Sequence, residues 1–236
     1  MVIGNHPKGL MASSDEQMVT LVDHMGSDLS VVNAARVSFA KTSNWFKSVK
    51  GALSLTDQKL IQYLAKHDHW SPFGHGSMQF HIKAPVFVAR QLVKHQVGLG
   101  WNEVSRRYVE DEVTFYEPDI WRGSPQNKKQ GSSDEEIDIN PRNDLVNDYQ
   151  QVLSNAKWTY EELLRKGVCP EQARMVLPQA MMTEWYWSGT LYAFARVCNL
   201  RCKDDAQLET QMVAKEIDEL AKEHFPYSWK ALRNGK

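Results

Sequence analysis

Alternation of hydrophobic and polar residues predicts three strands in this chain. Met78, Phe80 and Ile82 alternate with polar neighbours, which is the period of two that is typical of a half-buried strand. The apolar segments 17–23 and 181–187 are rich in residues that favour strands. We therefore expect strands at these three places.

Elsewhere the apolar residues recur three and four positions apart, which is the spacing of a buried helix face. We expect Ser30, Thr56 and Ser188 to open three of these helices, and Lys166-Gly167 to end the longest. The predicted helices cover residues 31–35, 56–65, 85–95, 145–163, 170–177, 189–198 and 208–220. Strands and helices mix without regular alternation, so we predict a single α+β domain over 1–236 rather than a doubly wound sheet.

Composition adds constraints on location and partners. The 236 residues carry a net charge of -1, which argues against a general attraction to nucleic acid. The three cysteines lack the spacing of a disulfide framework or a zinc site, and no stretch of about 18 apolar residues appears. We expect a cytoplasmic protein that does not bind membranes or nucleic acid. Residues 123–140 are rich in Gly, Ser, Asn and charge, which predicts a mobile insertion without a catalytic role.

The greatest density of polar side chains lies between Arg90 and Tyr108. Helical spacing predicts that Gln91, Lys94 and His95 lie within one turn of each other, before Gly98 and Gly100 loosen the backbone. From composition alone, this segment could be a solvated loop at a helix end or a binding site.

This segment resembles the signature of the flavin-dependent thymidylate synthases. That family has Arg-His-Arg, seven residues and then Ser, whereas this chain has Lys94-His95-Gln96, eight residues and then Ser105. Asn102-Glu103 precedes the serine and Arg107-Tyr108 follows it, as in the family. Further blocks resemble the family in the same order, at residues 21–39, 69–75, 173–178 and 199–201.

The resemblance implies a fold, a reaction and cofactors. The fold would be that of the thymidylate synthase-complementing proteins, and the chain would be a homotetramer with flavin sites shared between subunits. The protein would be a methyltransferase and flavoprotein of nucleotide biosynthesis. It would convert dUMP to dTMP with 5,10-methylenetetrahydrofolate as carbon donor and NADPH as reductant through FAD.

The resemblance also implies the site residues. The dUMP pocket would be lined by Gln91, Lys94, Glu103, Val104, Ser105, Arg106, Arg107, Arg174 and Arg201. FAD would contact His69, Ser71, Lys94, His95, Gln96, Val97, Glu103, Arg196, Asn199, Leu200 and Asp205. Three of these would be catalytic: Arg201 would polarise the pyrimidine, Ser105 would position it by a hydrogen bond, and His95 would hold the flavin. Asp205 stands where the family commonly has His, and Gly74 where it commonly has Glu.

Other functions remain open at this point. The replacements at Lys94 and Gln96 and the longer loop before Ser105 also suit a flavin-dependent pyrimidine nucleotide hydroxymethylase on the same fold. A non-enzymatic nucleotide or RNA-binding protein would also use arginines and aromatic residues. Histidines 67, 69, 75 and 81 match no tight metal-ligand spacing, so we expect no metal site. We expect the cysteines to be structural, because none has a general base beside it in sequence.

Overall fold

The structure is a computed structural model. It describes residues 11–12, 17–45, 51–109, 112–126, 131–133, 135–139 and 144–234. Within these ranges no helix has the length and apolar character needed to cross a membrane. Helices and sheet are mixed, which confirms the predicted α+β class.

The chain divides into two compact units, and both are discontinuous in sequence. Unit 1 comprises Met1–Met18, Lys83–Gln91 and Glu103–Trp185. Unit 2 comprises Val19–Ile82, Leu92–Asn102 and Tyr186–Lys236. The expectation of one domain over the whole chain therefore stays a prediction.

A four-stranded sheet has most of its residues in unit 2. Its strands are β2 (Met18–Met25), β3 (Ser77–Pro85), β4 (Leu99–Glu103) and β6 (Met182–Thr190), in the order β2-β3-β6-β4. Every second residue of β3 is buried up to Ala84, so the predicted alternation is confirmed. The rings of Phe80 and Trp187 meet Phe194 edge-on at 5.0 and 5.3 Å. These contacts bury one face of the sheet against the helix that carries Phe194.

In the described part of unit 2, the α-helices are α1 (Asp28–Arg36), α2 (Leu55–Lys66), α6 (Leu191–Arg201), α7 (Leu208–His224) and α8 (Pro226–Asn234). The buried carboxylate of Asp28 accepts hydrogen bonds from the backbone N–H groups of Tyr227 and Ser228, at 3.0 and 2.7 Å. Two otherwise unpaired donors at the start of α8 are thereby satisfied. Desolvation by burial raises the pKa of Asp28, although these hydrogen bonds lower it.

Unit 1 contains α4 (Asp144–Arg165), α5 (Pro170–Ala173) and the short parallel pair β1 (Met11–Ala12) and β5 (Phe115–Tyr116). Helix α3 (Val86–Leu92) begins in this unit, directly after β3. The buried core is formed by Val113, Phe115, Leu153, Tyr160 and Ala173. Helix α4 contributes Leu153 and Tyr160 to it, whereas Leu145 and Val152, which the sequence pattern placed on the buried stripe, are exposed. Gly167 after that helix has the left-handed φ of +85°.

Several predicted helix starts are wrong by a few residues. Helix α1 is capped by the extended Ser27, and Ser30 lies inside it, where its hydroxyl accepts the Ser27 N–H. Ser54, one turn before Asp57, caps α2 in place of Thr56. Ser188 lies in β6, and the helix after it is capped by Thr190, whose hydroxyl accepts the Ala193 N–H at 3.2 Å.

Two larger differences concern the segment around α3 and the end of the chain. Pro85 ends β3 instead of opening a helix, and α3 ends at Leu92, so Lys94 and His95 lie beyond the helix. Gly98 does bend the chain, with φ of +78°, but Gly100 lies inside strand β4. Helix α8 was not predicted.

The predicted insertion 123–140 is described only in part. Gly123 N–H donates to the Glu135 carbonyl at 3.1 Å, and Ile137 N–H donates to the Trp121 carbonyl at 2.7 Å. An isolated bridge also joins Arg122 and Glu136. These bonds pair residues 135–137 of the insertion with residues 121–123. Its mobility stays a prediction, and residues 127–130, 134 and 140 lie outside the described part.

Candidate active site

Unit 1 has a pocket of about 220 Å³ where α3, the end of β4 and the segment after α5 converge. Four predicted dUMP residues line it, namely Glu103, Val104, Arg106 and Arg174, together with Arg90 and Thr183. Three guanidinium groups around one cavity form a site for an anion with several oxygens, because each can donate two parallel hydrogen bonds. The pocket also contains one carboxylate, that of Glu103.

The position of Glu103 is fixed by β6. The hydroxyl of Thr183 donates a hydrogen bond to Oε1 of Glu103 at 2.9 Å. The next residue, Val104, donates its backbone N–H to the Glu184 carbonyl at 2.9 Å. These two bonds attach the end of β4 to β6, so the carboxylate enters the pocket from a braced strand.

Ser105 and Arg107 contact each other beside this pocket. The Ser105 hydroxyl accepts hydrogen bonds from Nε and from the backbone N–H of Arg107, at 3.1 and 3.4 Å. The Arg107 guanidinium lies 4.9 Å from the centre of the exposed Tyr108 ring, which is a cation–π distance. Gln91 belongs to the same unit, at the end of α3. A hydroxyl that accepts from a cation can position a substrate, and the charged Arg107 guanidinium is not a base that could activate it as a nucleophile.

The other predicted dUMP residues, Lys94 and Arg201, belong to unit 2. Arg201 ends α6 and donates from Nε to Nε2 of His95 at 3.0 Å. Burial, together with the charges of Arg201 and Arg196, lowers the pKa of His95 to about 4. At neutral pH His95 is therefore uncharged, with Nε2 unprotonated.

The predicted flavin residues of the turn before β3 and of α6 lie in one region of unit 2. The turn Ser71–His75 contacts α6. Asp68, Arg196 and Asn199 line the same small cavity. The Asn199 side chain is held by α8: it donates to the Leu232 carbonyl at 3.1 Å and accepts from Arg233. His69 lies next to Asp68 and meets the Tyr63 ring edge-on at 5.9 Å.

The remaining predicted flavin residues are mostly at the surface of unit 2. Val97 is 74% exposed and Leu200 is 48% exposed, although both side chains are apolar. Gln96 and Asp205 are also exposed. Exposed apolar side chains beside polar and cationic ones are typical of a surface that receives a ring system.

None of the three cysteines lines the unit 1 pocket. Cys198 is fully buried and donates to the Ala214 carbonyl at 3.5 Å, and burial raises the pKa of its thiol. Cys202, four residues later, hydrogen-bonds to Cys198, which lowers the pKa of Cys202. Cys169 precedes α5 at the surface. Among the described residues, no group of three or more His, Cys, Asp or Glu side chains could hold a metal ion.

Comparison with known proteins identifies the family. Residues 20–227 match the sequence profile of the family described as thymidylate synthase complementing protein. The chain belongs to this family. A flavin-dependent thymidylate synthase of Thermus thermophilus is 39% identical over 217 residues, which cover 92% of this chain and 76% of the relative. Another, of Thermosipho africanus, is 38% identical over 92% of this chain and 91% of the relative.

A solved structure supports the same assignment. A UMP/dUMP methylase from Streptomyces cacaoi, bound with 5-Br UMP, has a TM-score of 0.80 and 29% identity over 95% of this chain and 96% of that chain. The expected resemblance, fold family and enzyme class are confirmed for this thymidylate synthase complementing protein. The roles of individual residues stay predictions.

Arg90 and Thr183 are among the residues that line the unit 1 pocket without a predicted role from the sequence. Arg90 opens the polar segment and lines the cavity, but it received no role. Arg90 could have been proposed from the sequence, because it is a basic residue next to Gln91 in the segment that resembles the family. Thr183 gave no signal, because it lies 80 residues from Glu103 and a threonine in a strand is ordinary.

Proposed function

We propose that this member of the family is a flavin-dependent thymidylate synthase. It would convert dUMP to dTMP, with 5,10-methylenetetrahydrofolate as carbon donor and NADPH as reductant through FAD. The observation that carries the proposal is the pocket of unit 1, where Arg90, Arg106 and Arg174 surround a cavity on the strand end that bears the family motif. The names of the relatives, and the bound nucleotide of the methylase, support the same substrate class.

The guanidinium groups of the pocket suit the phosphate of the nucleotide. A dianion in a protein of net charge -1 needs local positive charge, and arginine holds phosphate oxygens in a planar fork. We assign this role to Arg90, Arg106 and Arg174, and we keep Gln91, Lys94, Val104, Ser105 and Arg107 as proposed dUMP residues. Glu103 cannot face the phosphate closely because like charges repel, so it would face the uncharged nucleoside.

The residues of unit 2 fit a flavin. Exposed Val97 and Leu200 offer apolar surface to a ring, while Arg196 can receive phosphate and uncharged His95 adds no charge beside the ring. When bound, the flavin supplies the reducing equivalents that complete the methyl group. The other proposed flavin residues are His69, Ser71, Lys94, Gln96, Glu103, Asn199 and Asp205.

The proposed role of Arg201 follows from its hydrogen bond to His95. Because His95 Nε2 accepts from Arg201 Nε, the guanidinium has a fixed orientation and keeps its terminal nitrogens for another acceptor. We propose that it donates to the pyrimidine and stabilises negative charge that develops on the ring. Ser105 would position the substrate, and no cysteine would add to it. A homotetramer with shared flavin sites, in a reducing cytoplasm, is part of the same proposal.

The test is a turnover assay on the purified, flavin-loaded protein. With dUMP, 5,10-methylenetetrahydrofolate and NADPH we expect dTMP, identified by mass. Hydroxymethyl-dUMP as the product would assign the hydroxymethylase, and colourless protein that takes up no added FAD would assign a non-enzymatic nucleotide-binding role. UMP serves as a second substrate, because the similar methylase acts on UMP and dUMP.

Arg201→Ala tests the chemistry of the site. We expect loss of dTMP formation with the FAD content retained, because the charge that polarises the pyrimidine ring is removed while the proposed flavin residues remain. Arg165→Ala is the control, since that arginine lies at the end of α4 in unit 1 and pairs with Glu162 at the surface. Normal turnover by Arg201→Ala would refute the role of Arg201.

A further inference from the structure

A buried hydroxyl lies at the wall of the unit 1 pocket. Thr183 is 5% exposed, and its neighbours Met182 and Trp185 on β6 are buried apolar residues. A buried hydroxyl is unfavourable unless it forms a hydrogen bond, and this one donates to Oε1 of Glu103 at 2.9 Å. The pairing explains why a polar side chain is placed in an apolar strand.

The backbone around Thr183 is fixed on both sides. Met182 N–H donates to the Thr114 carbonyl at 2.9 Å, and the Glu184 carbonyl accepts the Val104 N–H at the same distance. The hydroxyl therefore belongs to a rigid strand, while Glu103 is exposed and lies at the end of β4. Of the two partners, Thr183 is the one that can set the position of the other.

The position of the Glu103 carboxylate matters because charged groups surround it. Glu103 shares the pocket with Arg90, Arg106 and Arg174. A flexible carboxylate among three guanidinium groups would be drawn towards them and would compete with an anionic ligand for their charge. A donor that holds Oε1 on the β6 side limits this competition and directs the carboxylate at a chosen part of the ligand.

We propose that Thr183 is a positioning residue for the nucleotide: it fixes the Glu103 carboxylate so that it accepts a hydrogen bond from a sugar hydroxyl of the nucleoside. Two charge zones result, with the phosphate on the guanidinium side and the neutral nucleoside at Glu103. The identity of the nucleotide as dUMP rests on the proposed function. The effect of Thr183 on binding does not require the redox chemistry.

The experiment compares Thr183→Val, which keeps the volume and loses the hydroxyl, with Thr183→Ser, which keeps the hydroxyl. Binding of dUMP is measured by calorimetry on the full-length protein without folate or NADPH, and KM and kcat are measured separately. We expect Thr183→Val to weaken dUMP binding and raise KM about 10- to 100-fold, the range for a hydrogen bond to a charged group, with a smaller change in kcat. Thr183→Ser should stay within about threefold of the parent protein.

Two measurements distinguish the proposed role of Thr183 from a role in stability alone. A role in stability alone would lower the melting temperature of Thr183→Val without changing the Kd for dUMP, and that result would overturn the proposal. In a double-mutant cycle with Glu103→Gln, adding Thr183→Val should change the Kd less than it does in the parent protein, because the shared carboxylate is already lost. Full additivity would also overturn it. Thr183→Ala takes the place of the valine variant if that variant does not fold.

The outcomes distinguish this proposal from the proposed function. If the protein binds dUMP and Thr183→Val weakens it but no dTMP forms, the synthase function fails and the role of Thr183 stands. If dTMP forms and the valine variant binds dUMP like the parent protein, the role of Thr183 fails and the function stands. Failure of the parent protein to bind dUMP would overturn both.

Discussion

Gly189 allows β4 and β6 to approach each other closely in unit 2. A Cβ added at Gly189 would lie 2.5 Å from the Gly98 carbonyl oxygen and 2.4 Å from Cδ2 of Leu99. The Leu99 methyl group can rotate away. The carbonyl oxygen is backbone and also accepts the Thr190 N–H at 3.3 Å, so it can move only if that bond is lost. Gly189→Ala therefore forces the backbone apart.

The expected destabilisation follows from the size of the clash. Overpacking of a well-packed site costs about 1–3 kcal/mol, and replacing glycine returns about 0.4–1 kcal/mol by restricting the unfolded chain. The net loss in the free energy of unfolding is about 1–2 kcal/mol. For a chain of this length that corresponds to a fall in melting temperature of roughly 2–8 °C.

Gly100→Ala is the matched control on the same pair of strands. Its added Cβ would meet no atom nearer than the Ser188 carbonyl oxygen at 3.9 Å, which is ordinary contact. Melting curves and urea titrations of the flavin-free variants give the comparison, and we expect Gly100→Ala to stay within about 0.5 kcal/mol of the parent protein. FAD uptake should also fall in Gly189→Ala, because Gly98 directly follows the proposed flavin segment 94–97. Equal melting temperatures for the two variants would refute the reasoning.

Two further predictions concern unit 2. The pKa of His95 is about 4 in the folded protein and 6.5 ordinarily, so the unfolded chain binds a proton first as the pH falls. The free energy of unfolding should therefore decrease as the pH falls from 6.5 to 4 and should be constant below pH 4. Urea titrations should show a smaller decrease for His95→Gln than for the parent protein. The same pH profile for the variant and the parent protein would contradict this. Cys198→Ala and Cys202→Ala should each keep turnover per bound flavin, and loss of activity with flavin content intact would indicate a covalent cysteine.

Strong periodic patterns allowed correct prediction of the long elements. Strand β3 is buried on one face, so its alternation of apolar and polar residues appears directly in the sequence. The pattern of α4 predicted the helix and its end at Gly167, but Leu145 and Val152 of the expected stripe are exposed while Leu153 and Tyr160 are buried. A local pattern therefore identified both elements, and in β3 it also identified the buried side chains.

Helix ends and the segment after α3 could not be predicted in the same way. Capping depends on which of several nearby hydroxyls is in an extended backbone, and Ser27, Ser54 and Thr190 satisfied that condition. Polar residues at Gln91, Lys94 and His95 fit helical spacing without requiring a helix. Helix α8 was missed because its stability depends on burial of Trp229 and on hydrogen bonds that its backbone N–H groups donate to Asp28, 200 residues before Ser228.

The site residues were predicted from a family motif, so the prediction covers only the residues that the resemblance names. Glu103, Val104, Arg106 and Arg174 were named by resemblance and do line one pocket in unit 1. Arg90 and Thr183 line the same pocket, but the contacts that bring them there are between residues distant in sequence. The neutral state of His95 was also beyond the sequence, because it requires burial beside Arg201.

The bonds between Asp28 and the start of α8 have a consequence for how the protein reaches its native state. They close a loop of nearly the whole chain, since Asp28 and Ser228 are 200 residues apart. Contacts of such sequence separation slow folding because the entropy of loop closure opposes them until they form. During synthesis on the ribosome, α1 emerges long before α8. The Asp28 carboxylate therefore cannot form its hydrogen bonds until α8 has been synthesised. We therefore expect amide protection of α1 and α8 to develop together and late in refolding.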